Sequence, residues 1–205
     1  MRISGGEWCG RRLKVPPGEK VRPTQDRVRE ALFSMLIDHV AGGFWLDLFA
    51  GSGSVGLDAL SRGARRVIWV EKDNRNVQLI RANAETMGAT GGEIIRADAL
   101  RWLQTAGRGL KADVAFADPP YVIGREQGFA GLMAAATAGD AVRPGGLFIA
   151  EMPIAKSAET VPGWELLRDR VYGHTRVAVY RREDAAERPA DGTEVLPADA
   201  ETERG

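Results

Sequence analysis

Asp118-Pro119-Pro120-Tyr121 is the tetrapeptide of this chain with the plainest chemical capability. Two successive prolines fix φ and remove two N–H donors, so the turn is stiff and its carbonyl oxygens remain free to accept hydrogen bonds. A carboxylate beside such a carbonyl can take both protons of an exocyclic amino group, and an aromatic ring directly after it can stack on a flat base. The ligand so described is a planar amine. D-P-P is also an ordinary loop signal, and the rest of the chain has to separate the two explanations.

A second group lies upstream. The run 44–50 passes into Ala50-Gly51-Ser52-Gly53-Ser54-Val55-Gly56, and Gly51, Gly53 and Gly56 match G-x-G-x-x-G. Glycines there let a backbone turn tightly and approach a ligand at the N-terminus of the following helix, although a sharp strand-to-helix turn needs them equally. Eighteen residues after Gly53 comes Glu71, about where an acid accepts hydrogen bonds from a ribose diol. A nucleoside fits both features, and NAD and S-adenosylmethionine fit them alike. Two acids favour the latter. Asp47, just ahead of the loop, would repel a pyrophosphate but complements ammonium and sulfonium charge. Asp98-Ala99 closes the third apolar run, where the carboxylate can accept from an adenine amine or cap the short helix ALRWL.

The elements that must hold these residues alternate. Runs 44–50, 66–71, 93–98, 112–118 and 146–152 read as strands, and 54–63, 74–88 and 129–139 read as helices stopped near Gly63, Gly88 and Gly139. That rhythm predicts βαβ units and a parallel sheet, whose ligands sit beyond the carboxyl ends of the strands. The glycine loop and Asp118 then share one edge. After residue 163, two alternating runs separated near Gly173 predict an antiparallel hairpin on the edge of the sheet. Ahead of it, residues 24–40 predict a helix with Thr24 as N-cap, Val28, Ala31, Leu32, Met35, Leu36 and Val40 on its apolar side, and Arg27 and Arg29 on its polar side. The first twenty residues predict a small hairpin or extended arm rather than core.

With 205 residues, 44% apolar and 27% charged, one soluble domain is expected. No run is long enough to span a membrane and the start carries no apolar leader, so a cytoplasmic location is expected. One cysteine, Cys9, and two histidines, His39 and His174, leave no disulfide and no zinc-spaced cluster, so no metal is expected. Lys plus Arg and Asp plus Glu balance at 28 each, yet residues 1–30 carry eight cations against four acids. The last 23 residues carry eight acids against Arg188 and Arg204 and read as a disordered tail. The expected organisation is a basic arm over 1–22, a catalytic domain over 23–182 and the tail over 183–205.

Residues 10–16 (GRRLKVP), 22–33 (RPTQDRVREALF), 46–64 (LDLFAGSGSVGLDALSRGA), 70–71 (VE), 118–121 (DPPY) and 145–151 (GGLFIAE) together resemble the bacterial 16S ribosomal RNA guanine-N2 methyltransferases. The R-P-T-x-x-R-V-R-E-A-L-F string is the specific part, because glycine loops are general to methyltransferases and D-P-P-Y also occurs in DNA adenine methyltransferases. The resemblance implies a Rossmann-like class I fold: a seven-stranded, mostly parallel sheet with a C-terminal antiparallel hairpin and a small N-terminal β extension. It implies S-adenosylmethionine as cofactor, with Asp47, Ala50, Gly51, Ser52 and Gly53 on the methionine side, Glu71 at the ribose, and Asp98 and Ala99 at the adenine. Asp118, Pro119, Pro120 and Tyr121 would hold a guanine drawn out of its stack, at position 966 of 16S rRNA. Arg22, Thr24 and Arg27 would close the cleft near cofactor and RNA.

The expected substrate is 16S rRNA, within a small-subunit particle, for a monomeric enzyme. Arg11, Arg12, Lys14 and Arg22 would contact its phosphates, unless they are ordinary solvated surface. Methylation of adenine N6 or cytosine N4 in DNA is the nearest competing reading. A nicotinamide-dependent dehydrogenase and an RNA-binding module with a vestigial cofactor fold are more distant ones.

Overall fold

The computed structural model describes residues 1–16, 23–120 and 128–184; for residues 23–25 only the backbone is described. Within this span seven strands form one sheet in the order β3-β2-β1-β4-β5-β7-β6. They are β1 (Phe44–Leu48), β2 (Arg66–Glu71), β3 (Gly92–Arg96), β4 (Ala112–Ala117), β5 (Val142–Pro153), β6 (Trp164–Tyr172) and β7 (Thr175–Arg182). The first five pair in parallel, while β7 pairs antiparallel with both β5 and β6. The helices are α1 (Pro23–Met35), α2 (Ser54–Ser61), α3 (Asn74–Met87), α4 (Ala99–Gln104) and α5 (Gly128–Ala138).

Strand β1 is buried along its whole length, as expected of a parallel strand covered on both faces. Alternation sorts its side chains. Phe44, Leu46 and Leu48 pack with Ile68, Val70, Ala115, Ala117, Phe148 and Ala150 against α4 and α5. Trp45 packs with Val67, Trp69, Val114, Phe116, Leu147 and Ile149 on the other face, among Leu32, Phe33, Leu57 and Ile80 of α1, α2 and α3.

Several local expectations change. The first helix begins at Pro23, so Thr24 lies inside its first turn instead of capping it; proline suits that opening position because its absent N–H would lack a partner there anyway. It ends at Met35, and a 3-10 turn, Ile37–His39, carries the chain on to Val40. Arg29, expected on the polar side, is buried. Its guanidinium bonds Asp58 of α2, the Arg2 carbonyl and, at 2.9 Å, Asp26. Strand β1 stops before Phe49, whose φ of 63° turns the chain into the glycine loop. Strand β5 starts earlier than expected, and its register shifts between Ala112 and Val114 of β4 accommodate Pro144-Gly145.

The first residues do fold back on themselves, with Arg2 bridging Arg12 and the Ile3 N–H donating to the Arg11 carbonyl at 3.0 Å. They are not held outside the core. Ile3 and Leu13 are buried in the cluster on the α1–α3 face, because the arm lies across the top of that layer and its two apolar residues have nowhere drier to go. No helix among the described residues is long and apolar enough to cross a membrane.

Candidate active site

Parity along the strands decides which acids meet. Trp69, Phe116 and Ile149 face the α1–α3 layer, so the residues two further on, Glu71, Asp118 and Glu151, point to that same side. Asp47 follows Trp45 in the same way. The pairing of Leu48 with Ala117 and of Ala117 with Ala150 sets Asp118 one step past the last shared rung, beside Phe49 and Glu151. Four carboxyl groups therefore gather at the carboxyl edge of one sheet face.

Each has a distinct local structure. Asp47, with Trp69 and Phe116 as its rung neighbours, is 2% exposed, and its Oδ2 accepts from the Gly56 N–H of α2 at 3.0 Å. Burial pushes its carboxyl up to about 8, the Gly56 N–H offsets part of that, and the neighbouring Glu71 and Asp118 raise it further. Glu71 accepts from the Gly51 N–H at 2.8 Å and the Asp73 N–H at 2.7 Å, so one carboxylate ties the glycine loop to the turn into α3. Glu151 is raised by burial and then by Asp118, with Arg29 as the opposing charge. Asp118 is exposed, Pro119 half-buried and Pro120 exposed.

The loop itself has two kinds of glycine. At Gly51, φ is +54° and the position of an absent Cβ faces open space, leaving its backbone accessible to a ligand. At Gly56 a Cβ would collide with the Trp69 indole and with Val67, so this glycine lets α2 lie directly on β2. Ala50 and Ser52 are buried within the loop, and the Gly53 N–H donates to the Ala50 carbonyl at 2.7 Å. Asp98 caps α4 through the Arg101 N–H at 3.2 Å and sits 3.6 Å from Lys72 Nζ. Of the two uses expected for it the cap is present, made by Oδ1, while Oδ2 faces the lysine. Ala99 opens α4 with its methyl buried in the α4–α5 cluster.

Arg12, Lys14 and Arg27 are exposed. Arg11 is exposed as well, but its guanidinium bonds the Thr86 carbonyl and, at 3.4 Å, the Met87 carbonyl at the C-terminus of α3, where a cation is favoured. Arg22 and Tyr121 lie outside the described residues, as do positions 185–205 of the expected tail, and the side chain of Thr24 is not described.

Sequence reasoning passed over two residues and one ion pair. Glu151 was visible as an acid at the penultimate position of the fifth apolar run. Asn83 stands on the buried side of α3 with Val77, Ile80 and Met87, a polar residue at an apolar register. The Arg29–Asp58 pair had no signal, because the two lie on different helices.

A seven-stranded sheet in this order, with a glycine loop after β1 and a D-P-P turn after β4, defines the Rossmann-like class I methyltransferase fold expected from the sequence. A family model described as Conserved hypothetical protein 95 matches residues 1–181, and the chain belongs to that family. The chain is 35% identical over 192 residues to ribosomal RNA small subunit methyltransferase D of Escherichia coli, covering 93% of this chain and 94% of that one. It is 36% identical over 187 residues to YlbH of Bacillus subtilis, provisionally named an rRNA methyltransferase, covering 89% and 99%. The solved structure of Escherichia coli yhhF, provisionally described as a methyltransferase, superposes with a TM-score of 0.79 at 32% identity over 90% of this chain and 98% of that one.

Proposed function

We propose that the protein transfers a methyl group from S-adenosylmethionine to the exocyclic N2 amine of a guanine in 16S ribosomal RNA, at the position numbered 966. The observation that carries this reading is the gathering of Asp47, Glu71, Asp118 and Glu151 on one sheet face at the mouth of the glycine loop. Two of them, Asp47 and Glu151, are raised first by burial and then by neighbouring acids, Glu71 and Asp118 for Asp47 and Asp118 for Glu151. Such a site repels pyrophosphate and welcomes a cation, which favours a sulfonium cofactor over a dinucleotide. The residues present fit that group: open space at Gly51 for its backbone approach, a Glu71 carboxylate at the loop that would accept from a ribose diol, and Asp98 just past the end of the neighbouring strand.

Bound S-adenosylmethionine supplies a methyl already activated by positive sulfur. The protein's task is then alignment, which is worth several powers of ten in rate when the attacking atom is correctly placed. Asp118 and the Pro119 carbonyl accept the two N–H groups of guanine N2, returning electron density to a nitrogen whose lone pair is otherwise drawn into the ring. Tyr121 stacks on the base. As the new C–N bond forms and the methyl–sulfur bond breaks, leaving a neutral thioether, the amine would give up one proton, which Asp118 could take. Arg12, Lys14, Arg22 and Arg27 would hold RNA phosphates around the cleft.

The deciding experiment incubates the protein with tritiated S-adenosylmethionine and either DNA or small-subunit particles from cells lacking this gene, followed by nucleoside analysis. Label in N2-methylguanosine of 16S rRNA is the expected result. Label confined to N6-methyladenine or N4-methylcytosine of DNA would replace this reading by the competing one.

A further inference from the structure

Asn83 is almost wholly buried, 1% exposed, yet none of its polar atoms lacks a partner. Its Oδ1 accepts from the Lys14 N–H at 2.9 Å, and its Nδ2 donates to the Lys14 carbonyl at 3.0 Å. The same Nδ2 donates to the carbonyl of Ser52, in the centre of the glycine loop, at 3.0 Å. Two bonds to the N–H and C=O of one residue reproduce what a neighbouring β-strand would offer Lys14. The third fixes the loop.

Only a short amide can do this. The position needs one acceptor and two donors within one side-chain length, which aspartate, serine and leucine cannot supply. All three bonds go to backbone, so the arrangement fixes where the arm and the loop lie and is indifferent to their side chains. A second link runs parallel to it, from Ser52 Oγ to Met1 Sδ at 3.7 Å. Arg11 adds a third attachment of the arm to the end of α3.

We infer that Asn83 is a positioning residue that couples the basic arm to the cofactor loop, so that seating the arm on RNA and closing the loop on the cofactor favour one another. The RNA half of this statement rests on the proposed function; the mechanical link between arm and loop does not. Displacement of Lys14 pulls on the amide that holds the Ser52 carbonyl, and the loop loses a fixed point opposite the one that Glu71 gives Gly51. Coupling is reciprocal: whatever factor RNA contributes to cofactor affinity, the cofactor contributes to RNA affinity.

The test uses the full chain and two substitutions at the arm. Lys14→Ala and Lys14→Pro both remove the ammonium, but only the proline removes the N–H that donates to Asn83. S-adenosylhomocysteine binding is measured by calorimetry without RNA, and amide hydrogen exchange is followed at Gly51, Ser52 and Gly53. Lys14→Pro should bind about 5-fold more weakly than Lys14→Ala, at the low end of ordinary couplings, with faster exchange confined to the loop and unchanged in the β6–β7 hairpin. Equal affinity and equal loop exchange in the two variants would overturn the inference. Asn83→Ala should match Lys14→Pro, and Lys14→Pro keeps the test decisive if the core variant fails to fold. With saturating small-subunit particles, wild-type affinity should rise about 5-fold or more and Asn83→Ala should lose most of that gain. A loop effect of Lys14→Pro without any effect of particles, and without methylation of their RNA, would support the link and overturn the RNA reading instead.

Discussion

Asp47 and Asp113 are the same residue type on opposite edges of one sheet, and they are treated in opposite ways. Asp113, near the amino end of β4, is surrounded by partners: Arg143 Nε at 2.7 Å, the Phe44 N–H at 2.7 Å and Arg65 at 3.3 Å. Burial alone would raise its pKa, but these groups together outweigh burial and hold the carboxyl below its ordinary value. Asp47 at the carboxyl end of β1 has one backbone N–H and otherwise faces apolar rings and other acids. An acid that serves the fold brings its cations with it. One left short of positive charge is arranged for a cation that arrives from solution, which is the role proposed for Asp47.

The contrast breaks most visibly at Asp118. Replacing it by alanine should lower turnover by about 10²-fold or more, the order expected when a group that aligns and deprotonates the nucleophile is lost, with cofactor affinity nearly unchanged. Undiminished turnover in single-turnover assays would remove Asp118 from the mechanism. Asp47→Asn comes next: loss of a buried carboxylate facing a cation should weaken S-adenosylmethionine about 10- to 100-fold by calorimetry, with no loss of folding stability. Asp113→Asn should do the reverse, costing about 1–2 kcal/mol in denaturant unfolding and leaving cofactor affinity intact.

Acidity separates the two edges further. A carboxyl raised to about 8 in the folded protein, from 3.8, contributes stability that is full below 3.8 and is lost as pH climbs toward 8. Asp113, lowered, contributes stability above 3.8 that is lost as pH falls through its depressed value. Wild type minus Asp47→Asn and wild type minus Asp113→Asn should therefore slope in opposite directions with pH in unfolding experiments. Cofactor affinity should rise with pH toward about 8 as Asp47 ionises, with proton uptake by the buffer on binding; a flat profile would detach Asp47 from the cofactor. The smallest effect belongs to the arm. Arg12→Ala with Lys14→Ala should reduce the slope of log affinity against log salt for RNA by about 1–2, roughly one for each phosphate left without its cation.

The fold was legible because its signals are local and redundant. Each βα unit announces itself through an apolar run, a glycine or acid at its end, and a helical period after it, and the boundaries of β2, α2 and α3 fall within a residue or two of those expected. Asp73 and Gly88, which cap α3 at its two ends, belong to the same vocabulary. The arm misled because its apolar residues, Ile3 and Leu13, are single and ten apart, a spacing that says nothing until the chain folds back and lays both on one surface. Arg29 misled for a related reason: on an isolated helix a cation belongs in water, and only Asp58, twenty-nine residues on, makes a buried place for it.

By itself the sequence determined the order of the strands and helices, the glycine loop at the end of β1 and the stiff D-P-P turn at the end of β4, because each depends on propensities and spacings within a few residues. The tertiary structure alone decided that four acids share one face, that Glu151 stands beside Asp118, that Arg11 closes the end of α3, and that a single asparagine joins the arm to the loop. Those are facts of register, burial and packing between segments far apart in the chain, and they exist only once the sheet has brought the segments together.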